Sequence, residues 1–380
     1  MKKMTRILFI TSGLTHGGVN KSLLSLLKVL DKQQYEIELF SIYQSGPYME
    51  IFSDYNFVSL HNLIPSFLHY DQTKEKNNFT DLYLKTLIHL FPMRYCRKFG
   101  DILSSRQYDI VVSFQEGFAT YFATFVKASK HIAWIHCDYS QYLKLTGKDE
   151  TTTYQKYDDI VAVSNYTAEI VKKCIPCVAN KVMAIHNVMD DQDIILKSYE
   201  KTDDKRFVKS KLTLVSIGRI SPVKRFVEIP QMTKKIKEAG IPVKWYIIGD
   251  GDSEKKELIK QINVNNVENE VILLGEKSNP YSYLAQCDWL VCPSSSEAYP
   301  NVVNEARILH TPVITADFPS ACEIVDIGKT GFISSIDKIA DMIIELHQNK
   351  EEYNKLLCET QKFVYDNDSI VCQIQNCFDI

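Results

Sequence analysis

The apolar segments of this chain fall into two successive series of the same kind, and that duplication restricts its possible folds more than any other feature. The first series comprises "RILFITSG" (6–13), "IELFSIY" (37–43), "DIVVSF" (109–114), "HIAWIHC" (131–137), "DIVAVS" (159–164) and "KVMAIHN" (181–187). Residues 190–210 are highly charged and interrupt it. The second series then starts with "LTLVSIG" (212–218), "VKWYIIG" (243–249), "EVILLG" (270–275), "DWLVCPS" (288–294) and "PVITAD" (312–317). Short compact apolar runs that alternate with helix-period stretches predict buried parallel strands joined by helical crossovers. Helices are expected near 19–30, 224–238, 253–263, 280–286 and 301–309. The fold class is therefore α/β, with two doubly wound Rossmann-like domains. The expected boundaries are 1–190, a linker at 191–210, a second domain at 211–365, and a terminal helix at 366–380 that packs back on the first domain. In doubly wound sheets ligands sit beyond the carboxyl ends of the strands, so a cleft shared by the two domains is the expected site.

The chain's 380 residues suit two domains, and 45% hydrophobic with 24% charged residues is the composition of a globular protein. A net charge of −3 gives no global attraction to nucleic acid, so local cations must meet any anionic ligand. Ten scattered cysteines include one close pair, "CIPC" (174–177), with no second pair at zinc-ligand spacing. Free thiols in a reducing, cytoplasmic compartment are the plain reading. The apolar run near the start, "ILFI", is too short for a signal-peptide core. The irregular region 44–108 contains a basic amphipathic stretch at 82–108 with Lys85, Arg94, Arg97, Lys98 and Arg106. That stretch is either a solvated helix face or a peripheral contact with an anionic membrane surface.

The stretch "SSSEAYPNVVNEARILHTPVITAD" (294–317) carries the most chemistry. Glu297 and Glu305 have seven residues between them. Pro300 suits the first turn of a helix, where its missing N–H is no loss, and Val302, Val303, Ala306 and Leu309 give an apolar stripe behind it. The free N–H groups of Asn301 and Val302 then make an anion site. Glu305 lies one turn further along that face. Like charge bars it from binding phosphate, but it can accept hydrogen bonds from ribose hydroxyls. A surface pair beside a local helix cap has the same spacing. In "SIGRISPVK" (216–224), Arg219 and Lys224 follow a strand exit at Gly218, an arrangement that suits a diphosphate.

These motifs, in this order and spacing, resemble the retaining glycosyltransferases of family 4. "GRISPVK", "IIGDG", "VILLGE", "EAYPNVVNE" and "TPVITAD" carry the likeness over 212–333, and "ILFITSGLTHGG" and "IHNVMD" carry it more loosely over 1–190. The resemblance implies the GT-B fold, with an acceptor-binding first domain and a donor-binding second domain. It implies transfer of a hexose-type sugar from a nucleoside diphosphate donor, most commonly a UDP-sugar, to a glycan hydroxyl. A lipid-linked acceptor in bacterial surface polysaccharide synthesis is the expected setting, with no metal required. Arg219 and Lys224 would bind the diphosphate, and Glu305 the ribose. Glu297 would touch the donor sugar, as would His136 in "WIHCDY". These four, Glu297, His136, Arg219 and Lys224, are the candidate catalytic residues by the same resemblance, acting with Glu305. Asn301, Val302 and Tyr299 would line the donor, Glu276 and Lys277 the base, and Gly17 and Gly18 the sugar or acceptor.

Departures from the family pattern are Ala298 within "EAYP", and Arg307 and His310 where small residues are common. His136 also reads as a structural histidine at a strand end, Asp138 as its orienter or a cap, and Gly17–Gly18 as a plain helix start; His16 is equally open. Three other functions compete. "GLTHGG" is not the G-x-G-x-x-G of a nicotinamide-dependent dehydrogenase. A sugar-nucleotide epimerase or a non-catalytic sugar-nucleotide-binding subunit would use the same nucleotide pocket.

Overall fold

In the computed structural model, residues 4–14, 17–43, 52, 55–58, 86–251 and 253–379 are described. His16, Lys85 and most of the stretch 44–85 lie outside these residues. Two compact units form, one from residues 1–188 and 367–380 and the other from 189–366.

The first unit is built on a seven-stranded parallel sheet. Its strands are β1 (Thr5–Gly13), β2 (Tyr35–Tyr43), β3 (Asn56–Phe57), β4 (Ile110–Ser113), β5 (Lys130–Ile135), β6 (Asp159–Ala162) and β7 (Val182–Ala184), in the spatial order β3-β2-β1-β4-β5-β6-β7. Ile7, Leu8, Phe9 and Ile10 of β1 are all fully buried, because helices cover both faces of the sheet. The covering helices include α1 (Gly18–Val29), α2 (Pro92–Ser104), α3 (Phe118–Ala123), α4 (Tyr139–Thr146), α5 (Thr151–Tyr154) and α6 (Asn165–Cys174). Leu8, Ile10, Phe40, Tyr95, Phe99 and Phe122 form the core on one face.

The second unit holds a six-stranded parallel sheet in the order β10-β9-β8-β11-β12-β13. Its strands are β8 (Leu212–Ile217), β9 (Val243–Ile248), β10 (Val271–Gly275), β11 (Trp289–Cys292), β12 (Val313–Ala316) and β13 (Gly331–Ser334). Leu212, Leu214, Trp245, Trp289, Ile314 and Ile343 belong to its core. Trp245 is not left polar and unpaired: its Nε1 donates to Ser216 Oγ at 3.1 Å, and that hydroxyl donates to the Val291 carbonyl at 2.7 Å.

The charged stretch 191–210, read as a linker, is instead built into this second unit. It begins with α7 (Asp191–Ser198), whose Asp190 cap accepts from the Asp193 N–H. An extended strap follows. Phe207 packs on Tyr246 and Tyr283 with ring centroids 4.7 and 5.1 Å away, and Tyr246 Oη accepts from the Val208 N–H at 2.8 Å. Arg206 bonds both Asp204 and the Leu273 carbonyl. Arg206, Asp203 and Asp204 thus reach long-range partners, while Lys201, Lys205 and Lys209 stay exposed.

The remaining helices of this unit are α8 (Ile229–Glu238), α9 (Ser253–Val264), α10 (Tyr281–Leu284), α11 (Asn301–Ile308), α12 (Ala321–Ile324), α13 (Ile339–Gln348) and α14 (Lys350–Thr360). The last helix, α15 (Asn367–Phe378), returns to the first unit. There Phe378 meets Phe9 and Tyr35 edge-on, with ring centroids 6.2 and 5.8 Å away.

Candidate functional site

At the carboxyl end of β8 the backbone is packed against its neighbour. A Cβ on Gly249, at the end of β9, would lie 2.0 Å from the Gly218 carbonyl oxygen, so only glycine fits there. Residues Pro222–Lys224 form one 3₁₀ turn, closed by Arg225 at φ 52°, and this sends the Lys224 side chain back over Gly218. The loop after β11 is tied to the same turn: Ser295 N donates to the Val223 carbonyl at 2.8 Å. Ser320 Oγ holds the Glu297 carbonyl at 2.7 Å.

Those ties bring Lys224 Nζ to 2.5 Å from Glu297 Oε1. Burial pulls the Lys224 ammonium down, but Glu297 beside it more than offsets this, so its affinity for a proton is raised. Arg219 is near enough to act on Lys224 electrostatically, yet it stands exposed and makes no ion pair among the described residues. This corner therefore offers one free guanidinium and one ammonium shared with a carboxylate.

Helix α11 starts at the same corner. The sequence reading put Pro300 inside the first turn; Pro300 is in fact the cap residue, at extended φ −70° and ψ 108°, and Asn301 is the first helical residue. A proline cap offers no side-chain acceptor, so the cap residue's own side chain bonds none of the first N–H groups of the helix. Val303 N reaches back to the Pro300 carbonyl at 3.1 Å. Glu305 is buried at 3% exposure, one turn into the helix behind Asn301. Arg219, Lys224, Glu297, Asn301, Val302 and Glu305 thus lie around two adjacent strand ends and one helix start, where cations and helix N–H groups can in general meet phosphate charge.

Three other residues expected at the donor have the following surroundings. Tyr299 is buried, with its hydroxyl 3.5 Å from that of Tyr365, which makes it a packing residue. Lys277 is committed to the strap, 3.0 Å from Asp204 and 3.4 Å from Asp203. Glu276 is exposed at the end of β10, the sheet's edge strand.

The two unusual residues of "EARILHTPVI" have structural explanations. Arg307 is buried, bonds Asn304 and Asp326, and stacks 3.9 Å over the Phe363 ring centroid. His310 occupies the left-handed position after α11 at φ 57°, and its Nδ1 lies 2.8 Å from the Thr360 carbonyl oxygen.

In the first unit, Gly17 caps α1 in extended backbone and Gly18 opens the helix; a Cβ on Gly17 would meet nothing within 4 Å. His136 follows β5, half-buried, with its ring 4.7 Å from Phe114. Its Nε2 is buried and has no partner among the described residues, and burial pushes the imidazole down to about 3. This histidine is neutral at physiological pH. Asp138 caps α4, accepting from Ser140 and Gln141, and also takes the Tyr166 hydroxyl at 2.9 Å.

One group escaped the sequence reading. Glu116 follows β4, and its Oε2 accepts the His136 backbone N–H at 3.1 Å. The readable signal was a carboxylate before a glycine at a strand exit, "FQEG"; Gly117 adopts φ 87° there.

The sequence matches two family descriptions that between them cover nearly the whole chain: Glycosyltransferase Family 4 over residues 16–193 and Glycosyl transferases group 1 over residues 198–363. A protein named as an uncharacterized glycosyltransferase of Methanocaldococcus jannaschii is 30% identical over 167 residues, 43% of this chain and 41% of that protein. The N-acetylgalactosamine-N,N'-diacetylbacillosaminyl-diphospho-undecaprenol 4-alpha-N-acetylgalactosaminyltransferase of Campylobacter jejuni is 28% identical over 185 residues, 48% of each chain. The chain thus spans less than half the length of these two curated relatives. Among solved structures, Anabaena Alr3699/HepE in complex with UDP and glucose shares the fold with a TM-score of 0.71, at 18% identity over 98% of each chain. By both family matches and by fold, this chain belongs to the GT-B glycosyltransferases of the group 1, family 4 type.

Proposed function

We propose that this protein transfers a hexose-type sugar from a UDP-sugar to a hydroxyl of a lipid-linked glycan, with retention of anomeric configuration, in bacterial surface polysaccharide synthesis. The observation that carries the reading is the Lys224–Glu297 pair beside an exposed Arg219 at the start of α11. The printed names of relatives and neighbours, a diphospho-undecaprenol glycosyltransferase and a protein bound to UDP and glucose, support the donor and acceptor classes. No described helix is long and apolar enough to cross a membrane, so the enzyme would meet a lipid-linked acceptor peripherally, at the cytoplasmic face.

In this reading the bond between the anomeric carbon and the phosphate oxygen breaks with its electron pair going to phosphate. Arg219, Lys224 and the N–H groups at Asn301 and Val302 stabilise that charge. Glu305 accepts from the ribose hydroxyls, and Glu297, already beside Lys224, contacts the donor sugar. The acceptor oxygen bonds the anomeric carbon on the face that phosphate leaves, and its proton passes to the departing phosphate oxygen. Neutral His136 donates or accepts a hydrogen bond at the sugar.

The test is release of UDP from a panel of UDP-sugars, with and without lipid-linked acceptors, and with the product's anomeric configuration read by NMR. Acceptor-dependent release with retention supports the proposal. Interconversion of free sugar nucleotides identifies an epimerase instead, and stable binding with no turnover identifies a binding subunit.

A further inference from the structure

Helix α11 has eight residues, and its proline cap supplies no side-chain hydrogen bond. A helix that short is marginal by itself, so its surroundings must fix where its first turn stands. At about 1.5 Å per residue it is about 12 Å long. The segment 360–365 lies along that length in the opposite direction. His310 Nδ1, past the carboxyl end of the helix, lies 2.8 Å from the Thr360 carbonyl oxygen. Arg307, in the last turn, is stacked 3.9 Å over the Phe363 ring centroid. Tyr299, just before the cap, places its hydroxyl 3.5 Å from that of Tyr365. The partners rise from 360 to 365 as the positions on and around the helix fall from 310 to 299, so the contacts reach from one end of α11 to the other. Exposure alternates along the segment: Lys362, Val364 and Asp366 are exposed, Phe363 is half-buried and Tyr365 is buried. That is extended backbone laid with one face down.

Arg307 is the centre of this brace. Its guanidinium is buried and therefore needs partners. Nη1 donates to Asn304 Oδ1 at 3.1 Å and Nη2 to Asp326 Oδ2 at 2.8 Å, while the Phe363 ring covers its face. Asn304 directly precedes Glu305, so Arg307 ties the segment to the turn of α11 that carries the buried carboxylate. Arg307 and His310 are also the departures from the family pattern within "EARILHTPVI", and two of the three contacts to the segment pass through them.

We infer that Arg307 and Phe363 are positioning residues for the donor: their stack braces α11 lengthwise and sets where Asn301, Val302 and Glu305 stand when a nucleoside diphosphate arrives. Groups that meet phosphate and ribose must be held to about 0.5 Å by the residues behind them. The inference rests on the donor reading of the proposed function, and it identifies what holds that site from behind.

The experiment combines calorimetric titration of the full chain with UDP, well below the melting temperature, and amide hydrogen exchange of α11 in the free protein. Phe363→Leu keeps apolar bulk and removes the ring face. It should weaken UDP binding about fivefold, the worth of one such stack, and speed exchange at Asn301–Glu305. Phe363→Tyr keeps the ring and should match wild-type protein in both readouts. Arg307→Lys keeps a charge for Asp326 but has no planar face, so it should repeat the Phe363→Leu loss, and the double variant should lose no more than either. A Phe363→Leu protein that melts lower yet binds UDP like wild type would overturn the inference, since the stack would then serve stability alone. So would faster exchange confined to 307–310, or an equal loss in Phe363→Tyr. A protein whose exchange at Asn301–Glu305 responds to Phe363→Leu but which binds no UDP keeps the brace and loses the proposed function alone.

Discussion

Lys224 Nζ lies 2.5 Å from Glu297 Oε1, so the cation best placed for a diphosphate is held by a carboxylate before any ligand arrives. A bound phosphate must compete with Glu297 for that ammonium. Glu297→Gln should therefore raise UDP affinity severalfold while lowering sugar transfer by about 10²-fold or more. Lys224→Ala should weaken both. In transfer rate the double variant should fall well short of the sum of the single losses, because the partners act as a unit. Titration calorimetry with UDP, alongside initial rates, reads all three.

Glu305 is buried one turn behind the start of α11 and is proposed to hold the ribose. Glu305→Gln should weaken UDP binding about 10- to 100-fold, the range for hydrogen bonds to a charged group. Wild-type protein should bind 2'-deoxy-UDP more weakly than UDP, and in the variant that difference should shrink. A full difference in the variant would remove Glu305 from the ribose.

His136 gives a pH prediction whose sign is fixed. Its folded value, about 3, lies below the ordinary 6.5, so the unfolded chain takes up a proton that the folded one refuses. Its neutral form is therefore fully accommodated above 6.5, and stability is lost progressively as pH falls from there toward 3. The ring is half-buried, so solvent reduces the effect to about 1–2 kcal/mol between neutral pH and about pH 5. Denaturant unfolding across that window should show the loss in wild-type protein, and His136→Phe should flatten it.

His310 combines a strained backbone, φ 57°, with a hydrogen-bonding contact to the Thr360 carbonyl. Glycine would relieve about 1 kcal/mol of strain and lose a bond worth about the same. His310→Gly should thus be near neutral, whereas His310→Ala keeps the strain, loses the bond and should cost about 1 kcal/mol. Thermal melts of the two variants decide this.

The strand series was legible because buried parallel strands read as compact apolar runs, and β1, β8 and β11 are of that type. β13 was not, since it begins at Gly331, where a Cβ would lie 2.0 Å from the Val313 carbonyl oxygen, and ends at Ser334, leaving only Phe332 and Ile333 as an apolar run. The site was legible where it is local: Glu297, Asn301 and Glu305 fall within one loop and one helix. Partners distant in sequence were hidden. Tyr299 turns to Tyr365, 66 residues on, and Lys277 to Asp204, 73 residues back. Nothing in the runs around them announces those contacts. The charge of 190–210 misled for the same reason, because Arg206 and Asp204 find partners as far off as Leu273 and Lys277.

The return of α15 to the first unit has a consequence for a shortened chain. Residues 189–366 form one continuous unit, whereas the first unit is assembled from 1–188 and 367–380. Without Phe378, the faces of Phe9 and Tyr35 that it covers are open. A protein cut before Asn367 would keep every residue of the second unit and leave the first unfinished, with a bare aromatic patch that a chaperone or protease could recognise.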